Sequence, residues 1–236
     1  MISVIFGASG GIGKALVSQL VGRGAGPVIA VSRSPVPDLE GATKLNGDFT
    51  DEAALAEIRD AVVDVGAPDL VIVASGLLSD GDALQPEKSL RHQDLGAFEA
   101  VFAANTFGPA LVAKHMIPAM PRKGRSVFAA LSARVGSISD NRLGGWHAYR
   151  ASKAALNMLI RNYAIEQGRR NPDFIAVGLH PGTVDTALSK PFQSNVPDKK
   201  LFTPDHSAAA LLTVIDGLTA DQSGQVFDYS GARVPA

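Results

Sequence analysis

Short apolar runs alternate with longer amphipathic stretches from one end of the chain to the other. Ile2–Gly7, Val28–Ser32, Leu70–Ala74, Ser126–Leu131, Ile175–Leu179 and Gln225–Phe227 are rich in Val, Ile and Phe. Runs of this kind predict strands buried on both faces, as in a parallel sheet. Between them, Gly11–Arg23, Glu52–Val65, Phe98–Met120, Ala148–Gly168 and Pro204–Leu218 carry apolar residues at helical spacing. Thr50-Asp51-Glu52, ahead of AALAEIRDAV, adds an N-cap and acids in the first turn. Alternation of strand and helix predicts an α/β fold: one doubly wound domain over residues 1–236, with a parallel sheet of about seven strands and helices on both faces. No repeat, low-complexity segment or linker divides it. Gly136–His147 and Thr183–Thr203 are irregular and follow predicted strands, where an open parallel sheet gathers its ligands.

Composition narrows the partners. The chain has 236 residues, is 46% hydrophobic and carries a formal charge of −1. Nothing in that balance favours nucleic acid or an anionic membrane surface. No uninterrupted apolar run approaches the ~18 residues of a membrane span. MISVIFGASGG has no basic region before its apolar run and reads as a strand, so a cytoplasmic protein is expected. Without cysteine there is no disulfide framework or thiolate metal site. The five histidines are scattered singly and form no metal-ligand pair, so no metal is expected. Asp60 and Asp64 stand at i, i+4 on one helix and read as a solvated face.

VIFGASGGIGKAL sets Gly7, Gly11 and Gly13 between the first strand and first helix, with Ser9 and Ile12 among them. Such glycines allow a tight turn, close approach of backbone to pyrophosphate and close helix–sheet packing. The helix start then offers N–H groups to phosphate. A ligand-free βα turn is the plainer alternative, and the position after the very first strand weighs against it. This is the signature of a dinucleotide-binding Rossmann domain. An NAD site usually has an acid about 20 residues after the glycines. Here Ser32 and Arg33 hold that place, and the nearest acid, Asp38, lies beyond two prolines. A guanidinium and a hydroxyl suit a 2′-phosphate, which favours NADP(H) over NAD(H).

In WHAYRASK, Tyr149 and Lys153 stand at i, i+4, one turn apart on a helix face. An ammonium beside a phenol favours the phenolate and eases proton transfer. Trp146 and Arg142 precede this pair on a loop that would overhang it. They are candidate substrate contacts, with simple loop packing as the alternative.

Together the glycine turn, Tyr149 and Lys153 resemble the short-chain dehydrogenase/reductase family across nearly the whole chain. Further matches follow in order. Asp48, with Phe49, resembles the acid near the adenine. Ala74-Ser75-Gly76 stands in the segment after the fourth strand, Asn105 resembles the helix asparagine and Ser132 the serine ending the fifth strand. Pro181-Gly182, Val184 and Thr186 resemble the segment beside the nicotinamide. LSARVGSISDNRLGGW and GQVFDYSG are most similar to the C-factor-like and sniffer-like carbonyl reductases.

Departures are specific. Phe6 replaces a threonine and Val73-Ala74-Ser75-Gly76 replaces Asn-Asn-Ala-Gly, so two polar partners are lost together, which leaves nothing unsatisfied. Ser132 stands farther before Tyr149 than is usual. Counting back from Gly136 puts Ala133 at the serine position, counting along the strand puts Ser132 there, and Ser137 is the fallback. Strand register favours Ser132.

The resemblance implies Tyr149 as general acid or base, Lys153 lowering its pKa and holding the nicotinamide ribose, Ser132 on the substrate oxygen, and Asn105 holding a relay water. It implies an NADP(H)-dependent carbonyl reductase or alcohol dehydrogenase acting on a small carbonyl or alcohol. It also implies a homo-oligomer, dimer or tetramer, built on helices near 98–120 and 148–168. A nucleotide-bound C-factor-like signalling or regulatory protein with little turnover is the alternative. An extended-group epimerase is disfavoured, because the chain leaves no room for a substrate domain.

Overall fold

The computed structural model describes residues 1–35, 39–81, 83–195, 197 and 200–236; Asp38 and part of the Thr183–Thr203 stretch lie outside them. The chain begins with β1 (Ser3–Phe6), α1 (Gly11–Gly22), β2 (Val28–Ser32), β3 (Ala42–Asn46), α2 (Glu52–Val65) and β4 (Leu70–Val73). A helical segment follows as α3 (Leu95–Phe102), a π turn at Ala103–Phe107 and α4 (Gly108–Met116), and then β5 (Ser126–Leu131) and α5 (His147–Gly168). β6 (Phe174–His180), β7 (Thr183–Val184), β8 (Leu201–Phe202), α6 (Pro204–Gly217), β9 (Gln225–Asp228) and β10 (Arg233–Val234) complete it.

Eight strands form the main sheet in the order β10-β9-β6-β5-β4-β1-β2-β3, and only β10 runs antiparallel, so the sheet has one strand more than the seven or so expected. β7 and β8 pair separately. β3 lies at the edge, and its residues ATKLN are mostly exposed, so it has no buried apolar run to announce it. The expected single helix over 98–120 starts earlier, where the Asp94 carboxylate accepts from Ala97 N at 3.0 Å, and it opens into the π turn midway.

Two apolar cores follow from strand alternation. On one face Leu16 and Leu20 of α1 and Leu211, Leu212 and Ile215 of α6 cover Ile5, Ile72, Ala129 and Val177. On the other, Leu55 and Val62 of α2, Val112 and Met116 of α4, and Leu156 and Ile160 of α5 cover Val4, Phe6, Val71 and Phe128. Each large apolar side chain fully buried this way contributes roughly 1.5–3 kcal/mol. Phe6 fills its place with an edge-on contact to Phe49, centroids 5.3 Å apart. The Leu95–Ala119 segment is long and apolar enough to cross a membrane, yet its Val112, Ala113 and Met116 are core residues.

The site is placed by topology. From β1 the chain winds outward through β2 and β3, then returns to lay β4 on the other side of β1. That reversal opens a crevice at the carboxyl ends of β1 and β4.

Candidate active site

At the end of β1, Gly7 takes φ +84, and a Cβ there would sit 2.9 Å from the backbone of Ala74 and Ser75. A Cβ on Gly13 would sit 2.1 Å from Gly7 O, and one on Gly11 would sit 2.8 Å from Thr186 Cγ2. These glycines therefore press the start of α1 against the ends of β1 and β4 and the loop after β6. Gly10, the N-cap of α1, caps with no side chain, so the first-turn N–H groups of α1 gain no side-chain acceptor from it. Ser75 Oγ is buried at the same cavity and has no hydrogen-bond partner among the described residues. A cradle that no side chain can enter, open helix N–H groups and an orphan hydroxyl fit a phosphate-bearing dinucleotide.

At its outer end, Ser32 Oγ donates to Ser9 Oγ at 2.6 Å. The Arg33 side chain is 78% exposed, with Nη1 3.9 Å from Asp48 Oδ2. Asp48 accepts from Thr50 N at 2.9 Å and from Thr50 Oγ1 at 2.8 Å, and these bonds, with a smaller contribution from Arg33, hold its carboxyl below the usual range.

A cavity of about 910 Å³ runs from this cradle to the start of α5. It brings together Gly7, Ser9, Gly11, Ile12, Ser32, Arg33, Asp48, Phe49 and Ala74–Gly76 with Ser132, Trp146, Tyr149, Lys153, Pro181, Gly182, Val184 and Thr186. Gly13, Asn105 and Arg142 do not line it. Gly13 packs beneath the turn. The Arg142 guanidinium donates to Ser139 O at 2.9 Å and Asn141 O at 3.3 Å, folding back on its own loop. Asn105 Oδ1 accepts from Leu77 N and its Nδ2 donates to Leu77 O, both at 2.8 Å, so this amide clamps the loop after β4 to the π turn.

Tyr149 and Lys153 face the cavity from the first turns of α5 and are only 8% and 2% exposed. Lys153 Nζ lies 5.8 Å from the Tyr149 ring centroid and donates to Leu131 O at 2.8 Å. Burial alone pushes the Tyr149 phenol up to about 12 and draws the Lys153 ammonium down to about 7. His180, at the end of β6, is drawn down to about 4, chiefly by burial and against the pull of Asp228.

Neighbours complete the wall. Trp146 meets Tyr149 edge-on at 6.2 Å and Phe192 at 5.2 Å, and Leu188 and Val135 pack beside them. Trp146 is the only non-glycine with positive φ among the described residues, at 51°. That conformation costs roughly 1–2 kcal/mol and is held by Glu87. Glu87 O accepts from Trp146 N at 2.6 Å, and the buried Glu87 carboxylate accepts from Ala148 N at 3.1 Å. In QPEKSLRH nothing marks Glu87 as buried. Phe192 and Leu188 likewise come from a stretch legible only as a long loop.

Ser132 Oγ donates to Asn157 Oδ1 at 2.6 Å, while Ala133, the other register, packs in the cluster that contains Tyr149.

Comparison with known proteins shows the family and the fold. Residues 1–197 match the short chain dehydrogenase family. The C-signal protein of Myxococcus xanthus is 39% identical over 142 residues, 60% of this chain and 80% of that one. The NADPH-bound carbonyl reductase from chicken fatty liver superposes with a TM-score of 0.83 at 23% identity, covering 100% of this chain and 98% of that chain. The carbonyl reductase Sniffer of D. melanogaster does so at 0.85 and 20% identity, covering 100% and 98%. Fold, glycine turn and family match converge, and the chain belongs to the short chain dehydrogenase family.

Proposed function

We propose that the protein is an NADP(H)-dependent oxidoreductase that interconverts a small carbonyl compound and its alcohol. The observation that carries this reading is the continuous cavity that joins the glycine cradle to Tyr149 and Lys153. When bound, the dinucleotide supplies or accepts the hydride. Tyr149 Oη gives a proton to the carbonyl oxygen in reduction and takes one from the alcohol in oxidation. Lys153, charged, favours the phenolate that reduction leaves. Trp146, Phe192 and Leu188 keep water from the reacting groups. Exposed Phe107 and Met158, on the π turn before α4 and on α5, are consistent with a homo-oligomer built on those helices.

NADP(H) preference rests on Ser9, Ser32 and Arg33 and on the NADPH bound by the chicken enzyme. Arg33→Ala should weaken NADPH binding by roughly 1.5–3 kcal/mol, the scale of a hydrogen bond to a charged group, and leave NADH nearly unchanged. Calorimetric titration of both cofactors checks this, and equal losses would remove Arg33 from the phosphate site.

Trp146 is the only tryptophan in the chain and lines the same cavity as the cradle. Titration with NADPH should therefore quench its fluorescence and give sensitised cofactor emission. NADP⁺, without that absorption, should quench much less. Binding by calorimetry with unchanged emission would place the nicotinamide away from this wall.

A second reading, a nucleotide-bound signalling protein with little turnover, is favoured by the likeness to C-signal. A panel of aldehydes, ketones and quinones assayed by NADPH absorbance separates the two. Tight NADPH binding with no oxidation by any compound would support the second.

A further inference from the structure

Hydride addition to a carbonyl leaves negative charge on oxygen, so the donors aimed at that oxygen largely set the barrier. On the carbonyl-reduction reading, Tyr149 is one donor. The end of β5 shows whether a second exists.

Ala133 has extended backbone, φ −151 and ψ 146, so the side chains of residues 132 and 133 leave the strand end on opposite sides. Ser132 Oγ gives its one proton to Asn157 Oδ1 at 2.6 Å. Asn157 lies two turns beyond Tyr149, about 12 Å along the axis of α5. The Ser132 hydroxyl therefore points away from the phenol. Ser132 and Ala133 both line the cavity, but the one packed beside Tyr149 is Ala133, with only a methyl group. Three other nearby hydroxyls serve the protein itself. Ser152 Oγ donates to Tyr149 O at 2.8 Å, Ser189 Oγ to Val184 O at 2.5 Å, and Ser137 Oγ to Ala236 O at 3.4 Å. Ser75 Oγ is unpartnered, but the backbone of Ser75 abuts Gly7, at the cradle end of the cavity. The His180 imidazole feels the charges of Asp228 and Arg134, and its Nδ1 is buried without a partner among the described residues.

We infer that Tyr149 is the sole hydroxyl donor to the substrate oxygen, the Ala133 methyl standing where a second would act. In reduction, hydride from the reduced nicotinamide forms the new C–H bond and the C=O π pair moves to oxygen. That oxygen takes the Tyr149 proton, and the phenolate is left beside Lys153. Lack of one preorganised donor typically costs roughly 10²–10³ in kcat. The site therefore depends on the substrate to carry the charge. The aromatic and aliphatic wall of Trp146, Phe192, Leu188, Val135 and Leu78 fits a flat apolar body. The substrate class is an electron-poor aryl aldehyde or ketone.

The test uses the full chain with para-substituted benzaldehydes and NADPH. The wild type should show kcat rising steeply with electron withdrawal. Ser132→Ala should change kcat by less than about threefold, far below the loss expected for an oxyanion donor. Ala133→Ser should raise kcat for the unsubstituted aldehyde by roughly tenfold, part of what a well-placed donor supplies, and flatten the series. Independently of turnover, the infrared carbonyl stretch of an isotope-labelled benzaldehyde bound with NADP⁺ should be lowered in the wild type. In Tyr149→Phe it should return to its value in an apolar solvent. A hundredfold loss in Ser132→Ala, or a lowered stretch surviving in Tyr149→Phe, overturns the inference. So does an Ala133→Ser protein that folds and binds NADPH without gaining rate. If Ala133→Ser does not fold, Ser132→Ala and the infrared stretch decide. A wild type that reduces no aldehyde sinks the carbonyl-reduction reading instead, and the infrared measurement still counts the donors.

Discussion

Replacing Tyr149 with phenylalanine should lower kcat for carbonyl reduction by roughly 10²–10⁴, the usual contribution of a positioned general acid. NADPH should bind as before. The phenyl ring keeps its contact with Trp146, and the Tyr149 carbonyl still accepts from Ser152 Oγ, so only the proton donor is lost. Lys153→Ala should reduce both turnover and NADPH affinity, because Nζ is buried within the cavity wall and anchored to Leu131 O. The pH profile separates the two roles. The Lys153 ammonium, drawn down to about 7 by burial, is present below that pH and lost above it. A charged lysine favours the phenolate left by reduction, so kcat for reduction should fall as pH rises through about 7. The residual rate of Tyr149→Phe should lack that inflection. Near wild-type kcat in Tyr149→Phe, measured at saturating NADPH, would remove Tyr149 from the chemistry.

Local pattern and tertiary context divide what was readable. β1, β2, β4, β5, β6 and β9 were legible to within a residue or so because each is a buried apolar run. β3 is stabilised by pairing with β2 at an exposed edge, and β7, β8 and β10 are two-residue strands, so no local periodicity marks them. Within the π turn Asn105 reaches across to Leu77, a contact without helical spacing. At the site, the glycine turn and the Tyr149–Lys153 pair were legible because their geometry lies within one loop or one helix. Glu87 acts on Trp146 and Ala148 from far along the chain, and Phe192 reaches Trp146 from a separate loop. Position alone puts Arg142 near the substrate, whereas its Nη1 donates to the adjacent carbonyls of Ser139 and Asn141. The choice between Ser132 and Ala133 was a question of side as well as of register. It is visible only once Asn157 is seen to hold the serine hydroxyl.

The second large effect concerns two glycines of one helix. Gly13→Ala should destabilise the protein by about 1–3 kcal/mol, the usual cost of overpacking. At this chain length that is a fall in Tm of roughly 2–12 °C. The added methyl would lie 2.1 Å from Gly7 O and 2.8 Å from Gly7 C, both backbone atoms. Gly7 is held in place, since its N–H donates to Val31 O at 2.9 Å and the backbone of Ala74 and Ser75 fills the space that a Cβ on Gly7 would take. Either α1 lifts from the sheet or the turn deforms, and both displace the N–H groups that would meet phosphate. NADPH affinity should therefore fall with stability, by roughly tenfold or more where one charged hydrogen bond is lost. Gly22→Ala is the matched control. A Cβ at Gly22 meets nothing within 4 Å, so alanine gains up to about 1 kcal/mol of helix propensity. That variant should melt slightly higher and bind NADPH unchanged. Thermal melts with and without NADPH read both quantities. Two variants with the same small shift in Tm and intact NADPH affinity would mean that α1 does not dock this closely on β1. The cradle would then have to be formed some other way than by the contact between Gly13 and Gly7.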